Sequence, residues 1–323
     1  MTSRTKACVL GTLILVASNG IGRGPSAGKV EGQSLAVGNL GAVTSIDVPG
    51  ATNTLALDIN AAGAIVGRYL SANRTHGFLR GPGGDLSTID VPSASFTAAV
   101  SINDRGDIVG QYALPTAPTG RHGFLLKDGE FTTFDPPGST FTNALGINER
   151  GDIVGRYCVL AVCTVPGTGA FHGFLFRDGE FTIIDVPGAL ETDGFSVNGR
   201  GEIAGGFLTA DHKEQLFLWS NGQFTGMAPP GAQPVSLDKG GINERRDIAG
   251  VYCDAALPCL IAATGTHGFL IDHDGFTTID IPGARATAAT GINARGDIVG
   301  SYSDVIGFHG FLLSQWVYQP SKP

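Results

Sequence analysis

Charge is scarce in this chain. Only 15% of its 323 residues are Asp, Glu, Lys or Arg, and no Lys/Arg cluster stands out. Nucleic-acid binding and docking to anionic membranes both draw on such clusters, so neither is expected. Helical periodicity is missing as well: no stretch of useful length spaces its apolar residues three and four apart. There is no Gly-x-Ser-x-Gly elbow, Walker loop, dinucleotide glycine fingerprint, His-Glu-x-x-His or EF-hand loop. Those absences remove the readily recognised hydrolase, nucleotide, zinc-protease and calcium classes.

Glycine is abundant, at 49 residues, and the rest of the chain explains why. One motif is written six times between Asp47 and Leu313. Its clearest copy reads His122-Gly-Phe-Leu-Leu-Lys-Asp-Gly-Glu-Phe-Thr-Thr-Phe-Asp135-Pro-Pro-Gly, then Gly146-Ile-Asn148-Glu-Arg-Gly-Asp152-Ile-Val-Gly155-Arg-Tyr157. The marker Asn60, Asn103, Asn148, Asn198, Asn243 and Asn293 recurs in steps of 43, 45, 50, 45 and 50 residues. A fixed period near 45 signals stacked supersecondary units, none able to bury its apolar face alone.

Each copy holds four short apolar runs: a, ending Gly-Ile-Asn; b, Asp-Ile-Val-Gly-x-Tyr; c, His-Gly-Phe-Leu; and d, Phe-Thr-Thr-Ile-Asp-Val-Pro-Gly. Rich in Ile, Val, Phe, Thr and Tyr, they suit strands. Asn-x-x-Gly links a to b. Asp128-Gly129, Asp178-Gly179 and Asn221-Gly222 link c to d as two-residue hairpin turns. The expected fold is all-β: a six-bladed β-propeller with four antiparallel strands per blade. The chain begins with a d run and ends with a c run, so one blade must pair N-terminal and C-terminal strands, closing the ring. The a runs are small, as in Thr287-Ala-Ala-Thr-Gly-Ile292, which suits the innermost place.

Residues 1–20 read differently. Arg4 and Lys6 precede the apolar run from Ala7 to Ala17, the pattern of a secretory signal peptide. The run falls short of the ~20 residues a membrane span needs. Residues 21–40 read as a flexible leader, 41–316 as the propeller and 317–323 as a C-terminal tail. Removing residues 1–20 would move the formal charge from −8 to −10. The expected location is extracellular or periplasmic, with no membrane insertion after cleavage. Four cysteines then remain. Local, even-numbered pairs in an oxidising compartment argue for two disulfides, Cys158 with Cys163 and Cys253 with Cys259, each pinning a long b–c loop.

Taking Asp128-Gly129 as the turn sets His122 opposite Asp135. The same reasoning pairs His76 with Asp90, His172 with Asp185, His267 with Asp280 and His309 with Asp47. The fourth copy loses both members together, to Gln215 and Ala228. An active site needs one constellation rather than five, so these read as structural hydrogen bonds inside the blades. Arg105-Gly-Asp107, Arg150-Gly-Asp152 and Arg295-Gly-Asp297 spell an adhesion tripeptide but read as turn chemistry. The six Asn residues are a candidate channel-mouth ring for an ion or polar ligand, or else the first residues of six turns.

The recurring Gly-Ile-Asn-x-x-Gly-Asp-Ile-Val-Gly and His-Gly-Phe motifs resemble the HAF-type extracellular repeat of bacterial secreted proteins, over roughly residues 43–316. The resemblance implies secretion and a propeller, and no particular activity. Trp-Asp and kelch Gly-Gly signatures are absent, as are the Ser-x-Asp-x-Gly-x-Thr-Trp boxes of sialidase-like propellers. Trp219 and Trp316 read as packing residues. The expected role is a binding or scaffold module for an extracellular protein or glycan. The alternative is a carbohydrate-active hydrolase or lyase at the channel mouth, for which Glu191, Asp193, Asp211 and Asp238 depart from the repeat. No cofactor is expected, no catalytic residue stands out, and no metal-ligand set can be named.

Overall fold

The computed structural model describes residues 42–160, 163, 171–227, 240–253 and 265–314. Their regular structure is all β: 24 strands and no helix. No helix among them is long and apolar enough to cross a membrane. The leader regions 1–20 and 21–40, the tail, Ala228, Asp238, Cys259 and Trp316 lie outside the described residues.

The strands follow the repeat. After β1 (Ala42–Ile46) comes a first set, β2 (Asn53–Ile59), β3 (Ile65–Ser71), β4 (Arg74–Arg80) and β5 (Leu86–Ile89). The second is β6 (Phe96–Ile102), β7 (Ile108–Leu114), β8 (Ala117–Lys127) and β9 (Glu130–Phe134). The third is β10 (Phe141–Ile147), β11 (Ile153–Cys158), β12 (His172–Arg177) and β13 (Glu180–Ile183). The fourth is β14 (Glu191–Val197), β15 (Ile203–Leu208), β16 (Glu214–Ser220) and β17 (Gln223–Met227). The fifth is β18 (Gly241–Ile242), β19 (Ile248–Cys253), β20 (Thr266–Asp272) and β21 (Gly275–Ile279). β22 (Ala286–Ile292), β23 (Ile298–Ser303) and β24 (Phe308–Ser314) end the described chain.

Each set is an antiparallel meander running a-b-c-d. The last has three strands of its own, and β1 supplies the fourth, pairing from Ala42↔Ser314 to Ile46↔Gly310. Single parallel pairs, Thr75↔Phe96, Arg121↔Phe141 and Thr266↔Ala286, link neighbouring sets into larger sheets. The d strands lie mostly exposed, as in β1 and β5, while the a strands β6, β10 and β22 are almost wholly buried.

The Gly-x-Tyr and His-Gly-Phe motifs meet in the core. Across each b–c pair the b-strand Gly faces the c-strand Phe: Gly110↔Phe124, Gly155↔Phe174, Gly300↔Phe311 and their counterparts. Phe78, Phe124, Phe174, Phe217, Phe269 and Phe311 are all fully buried. A Cβ on Gly110 would sit 2.9 Å from Phe124 Cε1 and 2.0 Å from Ala98 O. The a strands that face these glycines carry a bulge. Each fully described a strand skips one residue in its pairing with b, between Ala56 and Asp58, Ala99 and Ser101, Ala144 and Gly146, Gly194 and Ser196, and Ala289 and Gly291.

Successive a strands also touch. A Cβ on Gly146 would fall 2.7 Å from Ser196 Cα, and one on Gly291 2.8 Å from Asp58 Cα. Small residues fill the a runs because these strands converge. Apolar clusters straddle the seams between sets, such as Val109 with Ala144, Ile153 and Phe174, and Val299 with Ile46, Ala56 and Phe78.

Candidate functional site

Each a strand ends at an Asn whose side chain binds its own turn and the next, with two bonds at Asn60 and four at Asn148. Asn148 Oδ1 accepts the backbone N–H of Arg150 and of Asp152, both at 3.0 Å. Its Nδ2 donates to Asp152 Oδ2 at 2.8 Å and to the carbonyl of Asn198, in the next set, at 2.9 Å. The second link recurs throughout: Asn60 to Asn103, Asn103 to Asn148, Asn198 to Asn243, Asn243 to Asn293, and Asn293 back to Asn60, at 3.1 to 3.3 Å. The six amides therefore run head to tail. Each fixes its own turn and ties it to the next.

A cavity of about 340 Å³ opens among these turns. It carries acids that the repeat does not dictate: Asp58, Asp104, Glu149 and Glu244. Each accepts main-chain N–H groups. Ala61 N donates to Asp104 at 2.5 Å, Asp104 N to Glu149 at 2.6 Å, and Gly199 N to Glu244 at 2.5 Å. Asp58 takes Ile59 N and Ile102 N, and the Ser101 hydroxyl. Burial pushes the Glu149 carboxyl up, against the pull of its hydrogen bond from Asp104 N. These carboxylates serve as struts between turns.

The Arg-Gly-Asp tripeptides are folded in on themselves. Asp107 and Asp152 are 5% and 3% exposed and receive their own arginines, Arg105 at 3.0 Å and Arg150 at 2.7 Å. Burial would raise the Asp152 carboxyl, but hydrogen bonds from Arg177, Asn148 and Arg150 hold it down at about 2. An aspartate so engaged cannot be offered to a receptor. In the fifth turn Arg246 stands where the others have Gly, at φ +68°. Its guanidinium reaches back to Glu202 of the fourth set and, against burial and together with Asn198 and Arg200, holds that carboxyl at about 2.

His122 Nδ1 lies 2.8 Å from Asp135 and His172 Nδ1 2.7 Å from Asp185. His76 to Asp90 is 2.9 Å, His267 to Asp280 2.8 Å, and His309 to Asp47 2.8 Å. A tyrosine completes each pair, which the motif displays but sequence reasoning did not use. Tyr69, Tyr112, Tyr157, Tyr252 and Tyr302 face these histidines from the b strand, ring centroids 5.1 to 5.5 Å apart. Three of the phenols also meet a d-strand threonine: Tyr69 with Thr88, Tyr112 with Thr133, and Tyr252 with Thr278. In the fourth set Phe207 replaces the tyrosine along with the histidine.

Of the described acids that break the repeat, Glu191 and Asp193 share β14, and Asp211 lies in the turn after β15. Asp193, 1% exposed, is ion-paired at 3.0 Å with the buried Arg156 of the third set, and Glu191 is buried two residues before it. Asp211 is exposed beside Lys213. Among the described residues the one trio spaced as metal ligands could be is Asp272, His273 and Asp274, at an exposed hairpin tip. Asp272 already accepts Asp274 N and Gly275 N there, as turn residues do. Cys158 and Cys163 form a disulfide. Cys253 is disulfide-bonded too, and Cys259 lies outside the described residues. Trp219 is partly buried against the core.

No family model matches the chain, and no curated protein matches it in sequence. Solved structures do match in fold. AofleA from Arthrobotrys oligospora is 15% identical with a TM-score of 0.53, over 88% of this chain and 90% of that one. Aleuria aurantia lectin, solved with Fucalpha1-6GlcNAc, is 12% identical with a TM-score of 0.51, over 83% and 93%. Virginiamycin B lyase from Staphylococcus aureus is 10% identical with a TM-score of 0.50, over 85% and 99%. Identities this low speak to architecture alone, and the architecture is all-β and propeller-type.

Proposed function

We propose that this chain is a secreted, HAF-type, six-bladed β-propeller that works as a binding module, with an extracellular glycan as the first ligand class to test. The a-b-c-d sets would be its blades, with β1 completing the last and the Asn amides stitching all six around the channel. One observation carries the binding role. The polar groups of the repeat are consumed internally, so among the described residues no single constellation is left poised for chemistry. The mouth acids accept main-chain N–H groups, and Asp193 is locked to Arg156. That weighs against a hydrolase or lyase at the channel mouth.

What varies most in length from set to set is the b–c turns, and variable turns on a rigid scaffold are where propellers and other scaffolds place recognition. Two of these turns present apolar tips. Val159 and Leu160, beside the Cys158 disulfide, are 48% and 49% exposed, and Val305 and Ile306 are 78% and 82% exposed. A lectin is built on the same type of fold, which suits the proposal. The test is a glycan array probed with the secreted, non-reduced protein, then with Val159→Ser/Leu160→Ser and Val305→Ser/Ile306→Ser. At least one pair should weaken a bound glycan tenfold or more. An array with no bound glycan refutes the glycan class, and binding indifferent to both pairs refutes the b–c face.

A further inference from the structure

We propose that His309 is a proton-operated clamp on the N-terminal strand β1. Three separate pieces of the chain meet at its ring. Asp47, directly after β1, lies 2.8 Å from Nδ1. Asp304, in the turn between β23 and β24, lies 3.5 Å from Nε2. Tyr302 of β23 stacks on the face, centroids 5.1 Å apart, its phenol 3.4 Å from Ser45 Oγ of β1. Asp47, Asp304 and Tyr302 are the titratable groups facing it.

The chemistry turns on the second nitrogen. A neutral imidazole has one N–H. Given to Asp47, it leaves Nε2 as a lone pair pointed towards another carboxylate, and Nε2 is buried with no hydrogen-bond partner. The turn keeps that carboxylate in place and ionised, because Asp304 Oδ1 accepts Ile306 N at 2.6 Å and Gly307 N at 3.1 Å. Phe308 N, bonded to Asn53 Oδ1 at 3.1 Å, ties the turn to β2. Only the imidazolium can donate on both sides and hold β1, β24 and the turn together. The first set differs: there the extra partner is a cation, Arg74, 3.3 Å from Asp90.

Burial lowers the His309 pKa, but Asp47 and Asp304 together outweigh it, and the net shift is upward. A raised folded-state pKa gives stability that is complete below the unfolded value near ~6.5 and is lost as pH rises through the folded value. Acid therefore tightens the clamp and neutral to mildly alkaline solution loosens it. Release of β1 uncovers the β24 edge, a row of unpaired N–H and C=O groups able to accept another strand.

Amide hydrogen exchange of residues 42–46 in the full chain tests this, at pH 5.5 to 8.5 and corrected for intrinsic rates. The opening constant of β1 should rise with pH, at most about tenfold per unit. Amides of the histidine-free pair β14–β15 should show no such rise. Asp304→Asn keeps the turn's acceptor and removes the charge, so it should flatten the β1 response. A pH-independent β1 in the natural chain, or an unchanged slope in the variant, overturns the clamp. Should the variant fail to fold, the ring C–H titration of His309 in the natural chain decides. A midpoint above ~6.5 supports the clamp and one at or below it refutes it.

Discussion

If the Asn amides are structural, replacing one should cost the fold heavily, and Asn148 is the position at which to measure it. Asn148→Ala removes four hydrogen bonds at once. Arg150 is half-exposed, so water can rescue its N–H. Asp152 N and the Asn198 carbonyl sit in buried residues, and the buried Asp152 carboxylate loses one donor. An orphaned buried polar group costs about 1–3 kcal/mol, and such costs add incompletely, so the expected loss is about 3–5 kcal/mol. That is a large share of the 5–15 kcal/mol that holds typical domains together. Asn148→Asp refines the test. It keeps an acceptor for both N–H groups but loses both donations, and it sets a second carboxylate against Asp152. Its deficit should be large at pH 7 and shrink as the new carboxyl is protonated, because the acid form can donate again. Urea unfolding at pH 7 and pH 4, read as midpoint and slope, supplies the numbers. A cost below about 1 kcal/mol for Asn148→Ala would refute the reasoning, since ordinary exposed substitutions cost no more than that. The amides would then be free for a ligand.

Other consequences are as direct. Phe124→Ala empties the space over Gly110 and should cost about 3–5 kcal/mol in the same unfolding assay. Asp152→Asn should cost about 2 kcal/mol at pH 7, from the drop of its carboxyl to about 2. That pKa is depressed in the fold, so the stabilisation is present above ~4 and fades as pH falls towards 2; the gap between variant and natural protein should close over that interval. Replacing Cys158 and Cys163 together by serine opens a loop of separation 5 and should cost about 2 kcal/mol by chain entropy; an unchanged melting temperature would count against that disulfide as a staple.

How far the chain could be read in advance depended on how local each feature is. The c–d register needed only the two-residue turns. Asp128 and Gly129 both take positive φ, +51° and +81°, as a type I′ turn requires, and the facing of Gly123 with Phe134 follows by counting outwards. The bulges in the a strands were invisible, because one extra apolar residue among Ala, Val and Leu leaves the pattern unchanged. The Asn side chains were visible but not their reach. Five of their inter-set bonds join residues 43 to 50 apart and the sixth joins residues 233 apart, and only the convergence of the a strands brings these together. The tyrosines were in plain view in every b motif but one. Their role was missed because strand pairing predicts a neighbour and does not say that two rings stack.

The fourth set shows which of these devices the fold requires. It keeps the Asn turn, with Glu202 doing the work of Asp, and it keeps the Gly205↔Phe217 contact. It gives up tyrosine and histidine together, to Phe207 and Gln215, which still face each other. The exchange leaves a cost, since Gln215 Oε1 is buried with no hydrogen-bond partner. The fourth set pairs β16 with β17 without an imidazole, so the c–d pairing does not depend on the His–Asp bond. The His309–Asp47 pair joins β24 to the residue that follows β1, the first strand described. Ligand recognition, if the propeller binds as proposed, must fall to residues that the core has not claimed, and the most exposed large apolar side chains among the described residues, Val305 and Ile306, lie in a b–c turn.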